Sequence, residues 1–417
     1  VTPGPPDGRA FSSTTQPQAP RPGMSDSLQR FLQQRLETVC EAGLWRRLRT
    51  LDGPQQPEQI IDGQPVVAFC SNDYLGLAAD PAVSAAAREA LVEYGTGAGA
   101  AHLINGHTRA HAELEQALAR FTGRERALVF STGYMANLAL VQTLVGRHDT
   151  VFEDRWNHAS LIDAVRLSGA RSQRYRHADP EHLRQRLERA PAGGHRLIVT
   201  DGVFSMDGDI APLPQLAALA REFDAWLMVD DAHGFTVLGE TGGGSCQHFG
   251  LDTGDVPILM GTLGKGFGTA GAFVAGSEAL IETLIQTARP YIYTTAMPAA
   301  LAAATLASVR IAGAAGDRRD HLGALIRRLG AGLDALGLPH PPPDTPIQPV
   351  ILGDAARATA IAERLQQAGF LVPAIRPPTV PEGQARLRIT LSAAHNEAQV
   401  DALLNALERA LHASPGG

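Results

Sequence analysis

Residues 256 to 275 read Val-Pro-Ile-Leu-Met-Gly-Thr-Leu-Gly-Lys-Gly-Phe-Gly-Thr-Ala-Gly-Ala-Phe-Val-Ala. An apolar run breaks into glycines, one lysine, Lys265, stands among them, and a second apolar run begins. Lysine is strongly hydrated and is seldom buried without a partner, so a lysine set between two strand-like segments needs a reason. A desolvated amine loses its proton more readily, becomes nucleophilic and can form a Schiff base with an aldehyde cofactor such as pyridoxal phosphate. The plain alternative is a solvated lysine on a glycine-rich loop, and this stretch alone does not separate the two. A P-loop reading of Gly261 to Gly266 fails, because the glycines stand too close together and Gly266 occupies the position that requires Ser or Thr. That disfavours an ATPase.

Upstream of this stretch an apolar run, a polar turn and a helix recur. Residues 127–130 lead into Ser131-Thr132-Gly133-Tyr134 and a helix through Leu144; residues 150–153 lead into Asn157-His158-Ala159-Ser160 and a second helix. Residues 196–201 precede Gly-Val-Phe-Ser-Met-Asp-Gly-Asp at 202–209, and residues 225–230 precede Asp231-Ala232-His233-Gly234. Continuous apolar strands alternating with helices predict an α/β fold with a mostly parallel sheet covered on both faces. In such a sheet ligands bind beyond the strand ends, where these polar residues gather. Residues 298–338 read as alanine-rich helix and stop at the proline-rich 339–343, which marks a domain boundary. Beyond it, 347–352, 356–369, 371–375, 386–391 and 396–411 read as strand, helix, strand, strand and helix, a smaller C-terminal α+β domain. The expected division is a disordered leader or upstream extension over 1–23, an N-terminal helix and arm over 24–75, a large domain over 76–310 and a small domain over 311–412.

Near the start, Met24 is the first credible beginning, Ser25, Asp26 and Ser27 are cap candidates, and Leu28, Phe31, Leu32, Leu36 and Val39 share one helical face. Residues 1–23 are rich in Pro, Gly, Ser, Thr and Gln without the apolar block of a secretory signal. The glycine-rich 95–100 follows a helix where a dinucleotide fingerprint must follow a strand, so it reads as a loop. His107 and His111 are one helical turn apart, but no third ligand is evident, and they read as surface or helix-start histidines, with no metal site expected. The net charge of -7 offers no basic field for nucleic acid or anionic lipid, and no apolar run reaches membrane-spanning length. Three widely spaced cysteines, Cys40, Cys70 and Cys246, suit reduced thiols and a cytoplasmic location.

A pyridoxal phosphate site needs an amine, a carboxylate for the pyridine nitrogen, a packing partner for the ring and donors for the phosphate. Asp230 closes an apolar strand and is the carboxylate candidate, with Asp231 beside it as the control; either can instead cap the next turn. His233 can meet the cofactor's phenolic oxygen, Ser205 can donate to the same atom, and His158 can stack on the ring. Residues 131–134 end a strand and open a helix, so their N–H groups, with the Thr262 hydroxyl, can receive a phosphate. Each signal is weak alone, since turn residues and helix caps supply the same residue types.

Taken together, Ser71-Asn-Asp-Tyr-Leu-Gly-Leu77, residues 201–209, Val229-Asp-Asp-Ala-His-Gly234 and residues 261–268 resemble the α-oxoamine synthases in order and spacing, over roughly Leu28 to Leu411. Residues 374–381 and 385–390 are similar to the biotin-pathway branch of that family. The resemblance implies a fold-type I pyridoxal phosphate transferase, with a seven-stranded sheet in its large domain and a smaller C-terminal domain. It implies Lys265 as the Schiff-base lysine, Asp230 at the pyridine nitrogen, His158 on the ring, and Ser205 and His233 at the phenolic oxygen. It implies Gly133, Tyr134 and Thr262 at the phosphate, with Thr294 and Thr295 reaching the phosphate of a partner subunit in a homodimer whose sites lie at the interface. Arg388 matches the arginine that pairs with the amino-acid carboxylate, and Asn72 and Thr379 match further substrate contacts. Arg46, not separable from Arg47 here, matches by spacing an arginine near the acyl substrate. The implied reaction is decarboxylative condensation of L-alanine with pimeloyl-CoA or a pimeloyl carrier protein. Glycine with acetyl-CoA is the alternative within the family, and a cofactor-free scaffold that kept the fold is the alternative outside it.

Overall fold

A computed structural model describes residues 26–342 and 344–412. The expected leader over 1–23, Met24 and Ser25 lie outside the described residues. The chain separates into two units, residues 1–50 and 51–417. In the first, helix α1 (Asp26–Glu41) carries the apolar residues Leu28, Phe31, Leu32 and Leu36, all of them exposed.

The second unit opens with three short strands, β1 (Leu51–Asp52), β2 (Glu58–Ile61) and β3 (Gln64–Ala68). Helices α2 (Pro81–Tyr94) and α3 (Arg109–Thr122) follow. The main sheet then forms from β4 (Arg126–Phe130), β5 (Thr150–Asp154), β6 (Arg171–Tyr175), β7 (Arg196–Asp201), β8 (Trp226–Asp230), β9 (Ile258–Thr262) and β10 (Ala272–Gly276). Their spatial order is β4-β10-β9-β8-β7-β5-β6. All neighbours are parallel except β10, which runs antiparallel to both β4 and β9. The polar edge strand β6 (Arg-Ser-Gln-Arg-Tyr) has no apolar run to betray it, because an edge strand with an exposed face needs none.

Side-chain alternation divides this sheet between two cores. Val129, Ile198, Leu227, Val229, Leu259 and Phe273 join one apolar cluster. Leu128, Leu197, Val199, Met228, Met260 and Val274 join the other, against helices α4 (Gly133–Leu144) and α5 (Ala159–Ser168). Strands buried on both faces must be apolar at every position, which is why they were legible as continuous runs. Each fully buried Leu, Val or Phe contributes about 1.5–3 kcal/mol.

The predicted helical span over 298–338 is two helices, Ala299–Ala314 and Gly316–Ala335, bent by 71° at the break. No single helix among the described residues is long and apolar enough to cross a membrane. The smaller C-terminal domain holds β11 (Ile347–Gly353), β12 (Phe370–Leu371), β13 (Ala374–Ile375) and β14 (Ala385–Thr390), with a third core that includes Leu325, Ile347, Leu387 and Leu403. The single strand expected over 371–375 is a correction. Pro373, which has no N–H to give a ladder, separates β12 from β13, so β12 pairs parallel with β3 and β13 pairs with β14. The arm strands thereby share a sheet with a C-terminal strand.

Candidate active site

The carboxyl ends of β5, β7, β8 and β9 converge on a cavity of about 200 Å³ that includes Gly133, His158, Ser205, Asp230, His233 and Lys265 in its lining. Lys265 follows β9 on a loop closed at its base by Leu263 N–H to Gly271 O at 2.9 Å and Thr269 N–H to Leu263 O at 2.9 Å. Burial lowers the Lys265 pKa to about 8, against the opposing pull of Asp230 and Asp201. Its Nζ lies 2.7 Å from His233 Nε2, and His233 Nδ1 lies 2.5 Å from the Tyr74 hydroxyl. Tyr74 donates to Asn72 Oδ1 at 3.2 Å, and Arg388 Nη2 donates to the same oxygen at 3.2 Å. Because the phenol gives its hydrogen to Asn72, it accepts from His233 Nδ1–H, which leaves Nε2 free to accept from Lys265. His233 is therefore neutral, in keeping with burial and the nearby Lys265 and Arg388 charges, which hold its pKa well below the ordinary histidine value. Burial also pushes the Tyr74 phenol up to about 12.

On the other side of the cavity Asp230 is buried at the end of β8, in register with Asp201 on β7. Its Oδ2 accepts from Asn137 Nδ2 at 2.7 Å, and its Oδ1 from Ala232 N–H at 3.1 Å. Asp231, one residue on, points away from the cavity. It is fully buried and its Oδ2 accepts from Ser245 N–H at 2.6 Å. The period of two in a strand end thus separates the two aspartates onto opposite sides. His158 caps α5, its ring nitrogen Nδ1 2.7 Å from Ser160 Oγ, and its N–H donates to Asp201 Oδ2 at 2.8 Å.

Thr132 caps α4 by accepting from Met135 N–H at 3.2 Å, so the first turn of that helix, with Gly133 and Tyr134, opens onto the cavity. A Cβ at Gly133 would come within 2.9 Å of Met260 Cε. Tyr134 is exposed and donates to Asp163, and Thr262 donates to Gly271 O at 3.1 Å. An amine of lowered pKa, a buried carboxylate across from it and free helix-end N–H groups form a donor set that suits pyridoxal phosphate.

The remaining sequence candidates fall in different places. Arg388 is buried on β14, with Nε donating to Ser205 O at 2.6 Å. Thr379 is exposed in the turn before β14, and neither it nor Thr294 and Thr295 lines the cavity. Thr295 instead bridges to Ala101. Arg46 and Arg47 are exposed in the first unit. Of the two histidines read as surface or helix-start, His111 stands at the start of α3, fully buried with Nε2 2.8 Å from Met297 O, and His107 is exposed. Among the described residues no cluster of three or more His, Cys, Asp or Glu could hold a metal.

Sequence reasoning missed Tyr74, Asn137, Asp201 and Arg386. Tyr74 and Asp201 stood inside quoted motifs, and Asn137 is a lone polar residue in the apolar face of α4 whose full burial demands a partner. Arg386 also stood inside a quoted stretch, 385–390, but its full burial and its bonds to Asp207 and to Met206 O at 3.2 Å show only in the tertiary fold.

Fold and site together define a pyridoxal-phosphate-dependent enzyme of fold type I. The family described as aminotransferase class I and II matches residues 64–407. The 8-amino-7-oxononanoate synthase of Thioalkalivibrio sulfidiphilus is 64% identical over 385 residues, covering 92% of this chain and 98% of the relative. Among solved structures, a serine palmitoyltransferase of S. paucimobilis with a bound PLP-myriocin aldimine superposes with a TM-score of 0.87 at 34% identity, covering 92% of this chain and 98% of that one. An 8-amino-7-oxononanoate synthase from Francisella tularensis superposes with a TM-score of 0.73 at 33% identity, covering 83% and 98%. The chain belongs to the aminotransferase class I and II family, and within it to the acyltransferase group whose members are named 8-amino-7-oxononanoate synthase.

Proposed function

We propose that this enzyme condenses L-alanine with the pimeloyl thioester of coenzyme A or of a carrier protein, releasing carbon dioxide and the thiol, in biotin synthesis. The observation that carries the reading is the 64% identity to a relative of that name across nearly the whole chain, roughly twice the identity to the serine palmitoyltransferase. Bound pyridoxal phosphate supplies an aldehyde carbon for amines and a ring that accepts an electron pair from the carbon next to the nitrogen.

Lys265 would hold that aldehyde, and its Nζ would take the Cα proton of bound alanine, a task suited to an amine whose pKa is lowered to about 8. Asp230, fixed by Asn137, would keep a proton at the pyridine nitrogen. His158 would pack on the ring, Ser205 and His233 would meet its phenolic oxygen, and the α4 N-terminus with Gly133, Tyr134 and Thr262 would hold the phosphate. Arg388 pairs with the alanine carboxylate, while Asn72 and Thr379 border the substrate and Arg46 serves the acyl end. The alanine Cα forms a bond to the thioester carbonyl carbon as the C–S bond breaks, and the thiolate leaves to take a proton from solvent. The former alanine carboxylate then departs as carbon dioxide, and Lys265 returns its proton to the same carbon. Thr294 and Thr295 act on a partner subunit's phosphate in a homodimer, and three cysteines outside any disulfide suit a reducing cytoplasm.

The test is thiol release from pimeloyl-CoA with L-alanine, run beside acetyl-CoA with glycine. Release confined to the first pair is the expected result. Release confined to the second would replace this reading with glycine C-acetyltransferase.

A further inference from the structure

Behind the turn that carries Ser205 lies a charged group that the reaction above does not use. His177, just past β6, has Nδ1 3.1 Å from Asp154 Oδ1 and Nε2 2.8 Å from Asp209 Oδ2. Carboxylate oxygens only accept, so both contacts are hydrogen bonds only when both ring nitrogens carry a hydrogen, that is, in the imidazolium. The ring lies flat on Trp156, with centroids 4.0 Å apart, and meets Phe204 edge-on at 4.3 Å. Asp154 is itself fixed at the end of β5, accepting from Trp156 N–H and Ala178 N–H, each at 2.8 Å. Asp209 closes the other end: its carbonyl accepts from Phe204 N–H at 3.0 Å, which shapes the turn over 204–209. Its Oδ1 is buried without a partner, so His177 is the group that holds this side chain.

We propose that His177 is a positioning residue, which, clamped between Asp154 and Asp209, fixes the 204–209 turn and so sets the Ser205 hydroxyl against the cofactor ring. The far side of the same turn is held by the smaller domain, through Arg388 to Ser205 O, Arg386 to Met206 O and Asp207, and Thr345 Oγ1 to Gly208 O at 2.7 Å. Of the two anchors, only the histidine changes charge in an accessible pH range. The charged groups facing it are Asp154 from β5 and Asp209 from the turn; Trp156 and Phe204, which cover its ring, carry none. Burial pulls its pKa down, but hydrogen bonds to the two carboxylates and their charges outweigh that and raise it to about 9. A folded value above the ordinary 6.5 means that the clamp is whole below that value and is released as pH rises through about 9.

The inference rests on the reading that Ser205 meets the ring, and its test uses the cofactor-loaded protein with no substrate, so a wrong substrate assignment does not bear on it. Isotope-labelled histidine gives the titration of the His177 imidazole, assigned by its absence from His177→Gln, while visible circular dichroism of the bound cofactor follows the setting of the ring. The expected result is a single transition near pH 9 shared by both signals in the unaltered protein. Asp209→Asn should move both midpoints down together by about one unit or more, and His177→Gln should bind cofactor with a dichroism that no longer changes there. Ser205→Ala should abolish the change in dichroism while His177 still titrates in place. An imidazole titrating at the ordinary 6.5, or dichroism that stays flat while His177 titrates, overturns the clamp. A change in dichroism that survives Ser205→Ala overturns its route to the ring through Ser205.

Discussion

At the residue scale, the proposal that Lys265 holds the cofactor makes its setting decide how the cofactor is taken up. Only the neutral amine attacks an aldehyde, and with a pKa lowered by burial to about 8 a useful fraction is neutral near physiological pH. Capture of pyridoxal phosphate by the cofactor-free protein should therefore speed up about fivefold between pH 7 and pH 8 and flatten above, as followed by visible absorbance. A rate insensitive to pH across that interval would contradict the lowered amine. Asn137 makes a second case. Its Nδ2 bonds both Asp230 Oδ2 at 2.7 Å and Ser160 Oγ at 2.9 Å. Asn137→Leu removes a hydrogen bond to a buried carboxylate, a loss of about 1.5–3 kcal/mol. Cofactor affinity should fall by at least tenfold in an equilibrium titration, with the fold intact by far-ultraviolet dichroism. Lys265 and Asp230 were legible because each ends or follows an apolar run. Asn137 was not, because its meaning lies in a partner 93 positions away.

Elements carry constraints that no single side chain shows. The turn over 204–209 passes so close to β11 that a Cβ on Gly208, which sits at φ +74, would lie 2.1 Å from Ile347 O. Gly208→Ala therefore meets both a left-handed backbone and a clash with a carbonyl that β11 holds in place. It should destabilise the protein by roughly 2–3 kcal/mol in denaturant unfolding, more than the strain of an alanine at positive φ alone. A change inside experimental error would mean that β11 yields. The apolar strands of the main sheet, unlike the polar edge β6, could be read from sequence because burial on both faces writes itself into their residues. The pairing of β12 with β3 could not, since it joins Phe370 with Val67 and Leu371 with Ala68 from opposite ends of the sequence, and a two-residue strand such as β12 carries no periodicity.

For the whole molecule, His395 ties the start of the chain's second unit to its end. Its ring stacks on Phe69 with centroids 4.3 Å apart, Nε2 lies 3.0 Å from Ala68 O, and Nδ1 accepts from Ser392 N–H at 3.0 Å. All of these contacts belong to the neutral ring, and burial lowers its pKa from 6.5. With the folded value depressed, its contribution is present above pH 6.5 and is lost as pH falls below it, by up to about 1.4 kcal/mol per pH unit. His395→Gln keeps a donor and an acceptor without the titration, so the slope of stability against pH below 6.5 should become shallower. An identical slope in denaturant midpoints would remove His395 from the acid response. The antiparallel β10 has a consequence of a different kind. It is hydrogen-bonded on both sides, to β9 and to β4, so the loop carrying Lys265 joins two strands whose partners are already assigned. Removing or adding one residue there would turn every side chain of β10 to the opposite core, exchanging Phe273 with Val274. The chemistry ties down Lys265 in that loop, and the strand pairings on either side tie down how many residues it has.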